Sequence, residues 1–102
     1  STMSWNTTDS ERLIKALMTA TGRPDIMRTF LDDLLTEREI SDCVQRMTIA
    51  YWHSLQTPYS NIQKITGASS ATIARIAKLY DKKGGFNAAL KRINPRRPGY
   101  IN

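Results

Sequence analysis

Residues 58–80 read PYSNIQKITGASSATIARIAKLY, which is two short helical patterns separated by a glycine. Gly67 stands where a helix-turn-helix needs one residue with positive φ. A first helix is expected over residues 59–66, and Ser69 or Ser70 can cap the second helix. The stretch therefore predicts a helix-turn-helix whose two helices pack through Ile62, Ile65, Ile73 and Ile76.

The outward face of the second helix is small and hydroxylated at its start and cationic farther along. Small side chains permit close approach to the major groove, hydroxyl groups can bond base edges or phosphates, and an arginine can bond guanine or phosphate. Two packed helices with a solvated polar face are the alternative that this composition leaves open. The residues of the face are Ser69, Ser70, Ala71, Thr72, Ala74, Arg75 and Lys78.

Three more helices are predicted on the N-terminal side of this unit. The first covers roughly residues 10–21, and the second begins at Pro24, a residue that favours the first helical position. Thr36 and Glu39 have the spacing of a capping box, so a third helix is expected over about residues 37–56.

The apolar face of the third helix is wider than one small neighbour needs to cover, because Ile49 and Trp52 lie beside the main stripe. We interpret the first three helices as a dimerisation module, since a lone chain of 102 residues has only a modest core. A core formed within one chain is the alternative. The main stripe consists of Ile40, Cys43, Val44, Met47, Ala50, Tyr51 and Leu55.

The predicted organisation is a single all-α domain of five to six helices over residues 9–94, with the helix-turn-helix at 58–80. We expect residues 1–8 to be a disordered N-terminal segment and residues 95–102 to be a basic flexible tail. Two glycines break the helical pattern before the last helix, which is expected to bury one face. These residues are Gly84 and Gly85 in the break and Phe86, Ala89, Leu90 and Ile93 on the face.

The net charge of +6 is distributed unevenly along the chain. Residues 1–40 hold five basic and seven acidic side chains, whereas residues 41–102 hold ten basic side chains against Asp42 and Asp81. The basic C-terminal part favours a polyanion such as nucleic acid, although an anionic membrane surface would be attracted by the same field.

Several other classes of protein find little support. His53 is the only histidine, and no nucleophile with a base and no paired carboxylates accompany it, so we expect no enzyme activity and no cofactor. Cys43, the single cysteine, and His53 are ten residues apart and supply only two of the four ligands of a typical metal site, so we expect no metal. Cys43 is instead expected to be buried as a small apolar side chain. No apolar run approaches the roughly 20 residues of a membrane span, and we expect a cytoplasmic protein with no membrane partner.

The turn and the second helix of the unit resemble those of the Trp repressor family. The motif GASSATIAR at residues 67–75 carries the resemblance, together with residues 34–36, 45–47 and 59–67. These segments are most similar to the short YerC/YecD-type bacterial branch, and the resemblance covers residues 26–93.

The resemblance implies an intertwined homodimer in which the first helices and the last one interlock with the partner. Each protomer would present one recognition helix to a half-site of duplex DNA. The positions that contact DNA in the family correspond to Tyr59, Ser60, Gln63, Ser69, Ser70, Ala71, Thr72, Ala74 and Arg75, and the cationic pattern adds Lys78.

The resemblance also locates an effector pocket. Two arginines that enclose the indole of the corepressor in the tryptophan-responsive member match Arg46 and Arg75. A glycine and a serine of that pocket are replaced by Ile76 and Leu79, which add apolar bulk, so we expect that L-tryptophan does not bind. The two arginines could instead hold another small molecule or a phosphate, or stack on aromatic rings, and Arg46 could equally be a solvated helix residue.

The function predicted from the sequence is a transcriptional regulator that binds duplex DNA sequence-specifically. We expect a repressor that acts as a homodimer on a palindromic operator without responding to tryptophan. The alternative is a helical dimeric interaction protein whose helix-turn-helix binds another protein.

Overall fold

The computed structural model describes residues 5–93, which form six α-helices and, within that range, no strand. The predicted all-α class and number of helices are confirmed. The expectations for residues 1–4 and for the tail at 95–102 lie outside the described residues. The helices are α1 (Thr8–Thr19), α2 (Pro24–Leu34), α3 (Glu37–Ser54), α4 (Tyr59–Thr66), α5 (Ser70–Asp81) and α6 (Gly85–Ile93).

The chain divides into two compact units, Ser1–Ile40 and Ser41–Asn102. The first unit contains α1 and α2, and neither helix has a buried residue. Helix α1 begins at Thr8, inside the segment expected to be disordered, because the Thr7 hydroxyl caps it by accepting a hydrogen bond from the Ser10 amide. Helix α2 has a proline in its first turn, as the sequence predicts.

The start of α3 follows the predicted capping box. The Thr36 amide donates to Glu39 Oε1 at 2.9 Å, and the Glu39 amide donates to Thr36 Oγ1 at 3.1 Å. The helix ends at Ser54, two residues before its expected end, because Gln56 adopts a φ of 62° and turns the chain. The boundaries of α3 are thus set by local interactions at each end.

The core of the second unit lies where α4, α5 and α6 meet the C-terminal half of α3. Ile49 is fully buried in this core. The prediction that Ile49 belongs to a dimerisation surface is therefore wrong. Phe86 and Trp52 pack against the cluster from its edge. The buried cluster consists of Ile49, Ala50, Ile62, Ala68, Ile73, Ile76, Tyr80 and Leu90.

The N-terminal half of the expected inner face of α3 is not covered within the single chain. Cys43 and Val44 are exposed, because all the buried residues of α3 lie between Ile49 and Ser54, where the other helices of the unit cover it. The prediction of a buried cysteine is therefore wrong for the single chain. Val44 instead contributes to an exposed apolar surface.

Three further side chains predicted to be buried are exposed. Ile65 is 51% exposed, because α4 turns Ile62 toward the core, where Ala68 of the turn is also buried. In α6 the buried residues are Asn87 and Leu90, and Ile93 is exposed together with Ala89. None of the helices in the described range is long and apolar enough to cross a membrane.

Candidate nucleic-acid interface

The turn between α4 and α5 adopts the predicted left-handed geometry. Gly67 has φ 70° and ψ 6°, and its amide donates to the Gln63 carbonyl oxygen at 2.8 Å. The Thr66 hydroxyl accepts a hydrogen bond from the Ala68 amide at 3.2 Å and donates to the Ile62 carbonyl oxygen at 2.7 Å. These bonds satisfy backbone groups at the end of α4 and hold the turn in one conformation.

Helix α3 supports the turn from the side. The Gln45 amide Nε2 donates to the carbonyl oxygen of Thr66 at 3.2 Å in a partly buried contact. Gln45 lies within one of the segments that carry the family resemblance, but the sequence did not indicate this role. The turn is therefore attached to α3 by a side chain as well as by apolar packing.

The first turn of α5 is organised by a hydroxyl pair. Ser69 is the N-cap residue, and its Oγ accepts a hydrogen bond from the Thr72 amide at 3.1 Å. The two hydroxyl groups are also 3.0 Å apart, with Ser69 Oγ donating to Thr72 Oγ1. Ser69 thus stabilises the helix start and orients the Thr72 side chain at the surface.

The exposed face of α5 lies opposite the core. Ala71, Ala74, Arg75 and Lys78 are exposed at spacings that place them on one side of the helix, while the opposite side is buried. Thr72 is half-buried at the edge of this face. The result is a narrow surface with small side chains at the start of the helix and two cations farther along.

The first helix of the pair contributes to the same candidate interface. Tyr59, Ser60 and Gln63 are exposed on α4, and Ser69 and Ser70 are exposed at the turn. Every position that the sequence assigned to DNA contact is therefore accessible, at least in part, on the helix-turn-helix unit. Small, hydroxylated and cationic groups in this arrangement can approach base edges and phosphates.

The effector-pocket candidates lie in different environments. Arg46 and Arg75 are exposed, whereas Ile76 is only 1% exposed and belongs to the core. Leu79 lines an open apolar groove of about 610 Å³ between α3, α5 and α6, together with Met47 and Phe86. Ile76 therefore fills the core of the protein and has no free surface for a ligand.

A polar pair missed by the sequence interpretation lies at the other end of the helix-turn-helix. His53 Nε2 is 2.8 Å from Asp81 Oδ1, and the rings of Tyr59 and Tyr80 stand edge-on to the imidazole. The two partners are 28 residues apart, and no motif joins them. The pair forms because α3 packs against α5, which the sequence pattern does not predict.

A comparison of the chain with models of known protein families gives a match. The family model described as Trp repressor protein matches residues 9–94. The chain belongs to the Trp repressor family. Membership confirms the resemblance carried by residues 67–75.

A curated relative supports the same branch of the Trp repressor family. The Uncharacterized protein YerC of Bacillus subtilis (strain 168) is 35% identical over 65 residues, which cover 63% of this chain and 62% of that protein. The chain thus spans less than two thirds of the length of this relative. No solved structure matches the chain significantly.

Proposed function

We propose that the protein is a sequence-specific transcriptional repressor that binds duplex DNA. The observation that carries the proposal is the exposed face of α5, where small side chains precede Arg75 and Lys78 behind a capped helix start. A helix with this surface can enter the major groove with its N-terminal end first, because no bulky side chain holds it away from the bases. Family membership supports DNA as the partner.

The proposed regulator acts as a homodimer in the cytoplasm. Apolar side chains are exposed in both units, including Met18 of α1, Ile26 of α2 and Val44 of α3. A second copy would remove this apolar surface from water. Two-fold symmetry would then present two recognition helices to a palindromic operator, with half-sites about one helical turn apart.

The proposed repressor does not respond to L-tryptophan. Ile76 lies in the core, and Leu79 adds an apolar side chain to a groove already lined by Met47 and Phe86. Lys82 also lines the groove and could pair with a carboxylate, but the lining contains no acidic side chain, so the α-ammonium group of an amino acid would lose hydration without gaining a charged partner. In this proposal the repressor needs no cofactor and has no membrane partner.

Selection from a pool of random duplexes tests the proposed function. We expect enrichment of an inverted repeat. The logarithm of the binding constant for it should fall linearly with the logarithm of the salt concentration, because phosphates that the protein contacts release counterions. The same titration should be unchanged by L-tryptophan. A pool that yields no inverted repeat would contradict the proposal and favour the alternative, in which the helix-turn-helix is a protein-binding surface.

The role of Arg75 can be tested on the enriched duplex. If its guanidinium bonds a base, Arg75→Ala should weaken specific binding by roughly 1–3 kcal/mol while binding to random duplexes changes little. Arg75→Lys is the matched control, because it keeps the positive charge and loses the planar donor pair. Equal weakening on all duplexes would assign Arg75 to a phosphate, and unchanged affinity would place it outside the interface.

A further inference from the structure

We propose that His53 and Asp81 form a positioning clamp that holds the helix-turn-helix unit on α3 in its DNA-reading geometry. The inference rests on the proposed function and adds positioning residues that do not themselves touch DNA. His53 lies in the last turn of α3, and Asp81 is the last residue of α5. Because a carboxylate can only accept, the imidazole Nε2–H donates the 2.8 Å hydrogen bond to Asp81 Oδ1.

Three helices meet at the imidazole of His53. Its ring centroid lies 5.5 Å from that of Tyr80 in α5 and 6.1 Å from that of Tyr59, the first residue of α4. Both rings stand edge-on to it, an arrangement that aromatic pairs favour. The His53 side chain is only 17% exposed, so its position is determined by these neighbours.

The clamp complements a second attachment at the other end of the unit. Gln45 of α3 bonds the end of α4 at Thr66, whereas His53 of α3 contacts the start of α4 at Tyr59. Gln45 and His53 are eight positions apart in sequence, which corresponds to about 12 Å along α3. Two polar attachments at this separation add to the apolar packing of Ile49 and Ala50 and restrict rotation of the unit against α3 more than one would.

The charge of Asp81 and its hydrogen bond to His53 are expected to affect DNA affinity in opposite directions. Asp81 is the only acidic side chain between residues 43 and 102, and Lys78, Lys82 and Lys83 surround it in sequence. Its side chain is 63% exposed, so its negative charge opposes the approach of a polyanion. Removing that charge should strengthen DNA binding by electrostatics alone, whereas breaking the clamp should weaken it.

A pair of substitutions separates the two effects. Asp81→Asn and Asp81→Ala remove the same charge, but only asparagine keeps an Oδ1 that accepts from His53 Nε2–H. We expect the asparagine variant to bind the selected duplex at least as tightly as the unmodified protein. The alanine variant should bind it about two- to tenfold less tightly than the asparagine variant, as the loss of one hydrogen bond predicts.

Binding to random duplexes and thermal unfolding are the controls. A merely structural role would lower the unfolding temperature of the alanine variant without changing the affinity of the folded protein. The clamp instead predicts a lower ratio of specific to random binding at a temperature where both variants are fully folded. Equal affinities of the two variants for the selected duplex, or tighter binding by the alanine variant, would overturn the clamp.

Amide hydrogen exchange tests the clamp without DNA. We expect faster exchange at the end of α5 and the start of α4 in Asp81→Ala than in Asp81→Asn. His53→Phe keeps an aromatic ring but loses the donor, and it should exchange as Asp81→Ala does. If the unmodified protein binds no duplex, the proposed function fails while exchange still decides the clamp, and equal exchange in all three variants would overturn it.

Discussion

Ile73→Ala is expected to lower the free energy of unfolding by roughly 2–5 kcal/mol, the range for removal of a fully buried isoleucine side chain. Ile73 is completely buried in α5 and belongs to the cluster that joins this helix to α3, α4 and α6. Its truncation leaves a cavity under the recognition helix. Urea unfolding at a fixed protein concentration measures the loss, because association with a second copy would make stability depend on concentration.

Ile65→Ala is the matched control, since both isoleucines were expected in the same helix contact. Ile65 is 51% exposed, so its truncation should cost about 1 kcal/mol or less. The contrast between the two variants tests the packing of the helix-turn-helix directly. A cost for Ile65→Ala as large as that for Ile73→Ala would mean that Ile65 is buried in the assembled protein.

Gly67→Val is expected to destabilise the protein by about 2–3 kcal/mol, toward the upper end of the cost of a strained backbone conformation. Gly67 has φ 70°, a conformation that β-branched residues adopt only under strain. A Cβ atom built at this position meets nothing within 4 Å, so the cost arises from the backbone and not from a clash. Affinity for the selected duplex should fall with it, because the turn sets the angle of α5.

Gly67→Asn provides the control for the turn, because asparagine tolerates the left-handed region. It should retain most of the stability that valine loses, as measured by the same urea unfolding experiment. Similar losses for valine and asparagine would show that a feature other than φ requires glycine at this position.

The sequence predicted the boundaries of several elements because the signals for them are local. Thr36 and Glu39 lie three residues apart and form the predicted capping box, and Ser69 caps α5 through the amide of Thr72. Gly67 ends α4 where positive φ is needed. Interactions that span no more than one helical turn can be identified from the order of residues alone.

Predictions of burial were less accurate because helical periodicity identifies apolar side chains without identifying their neighbours. The pattern placed Val44 and Ile49 together on the wide face of α3, yet the structure buries Ile49 completely and leaves Val44 exposed. Ile65 follows the period of its helix but lies at the edge of the contact. Which part of each apolar face is covered depends on where the neighbouring helices cross it.

For this protein the sequence alone determined the all-α class, the glycine-centred helix-turn-helix and the surface that α5 presents, since each follows from helix periodicity, capping or backbone conformation. The tertiary structure alone revealed that α3 holds the unit at two points, through Gln45 to Thr66 and through His53 to Asp81, pairs separated by 21 and 28 residues. Such pairs leave no periodic signal, because they form only when packing brings separate helices within hydrogen-bonding distance.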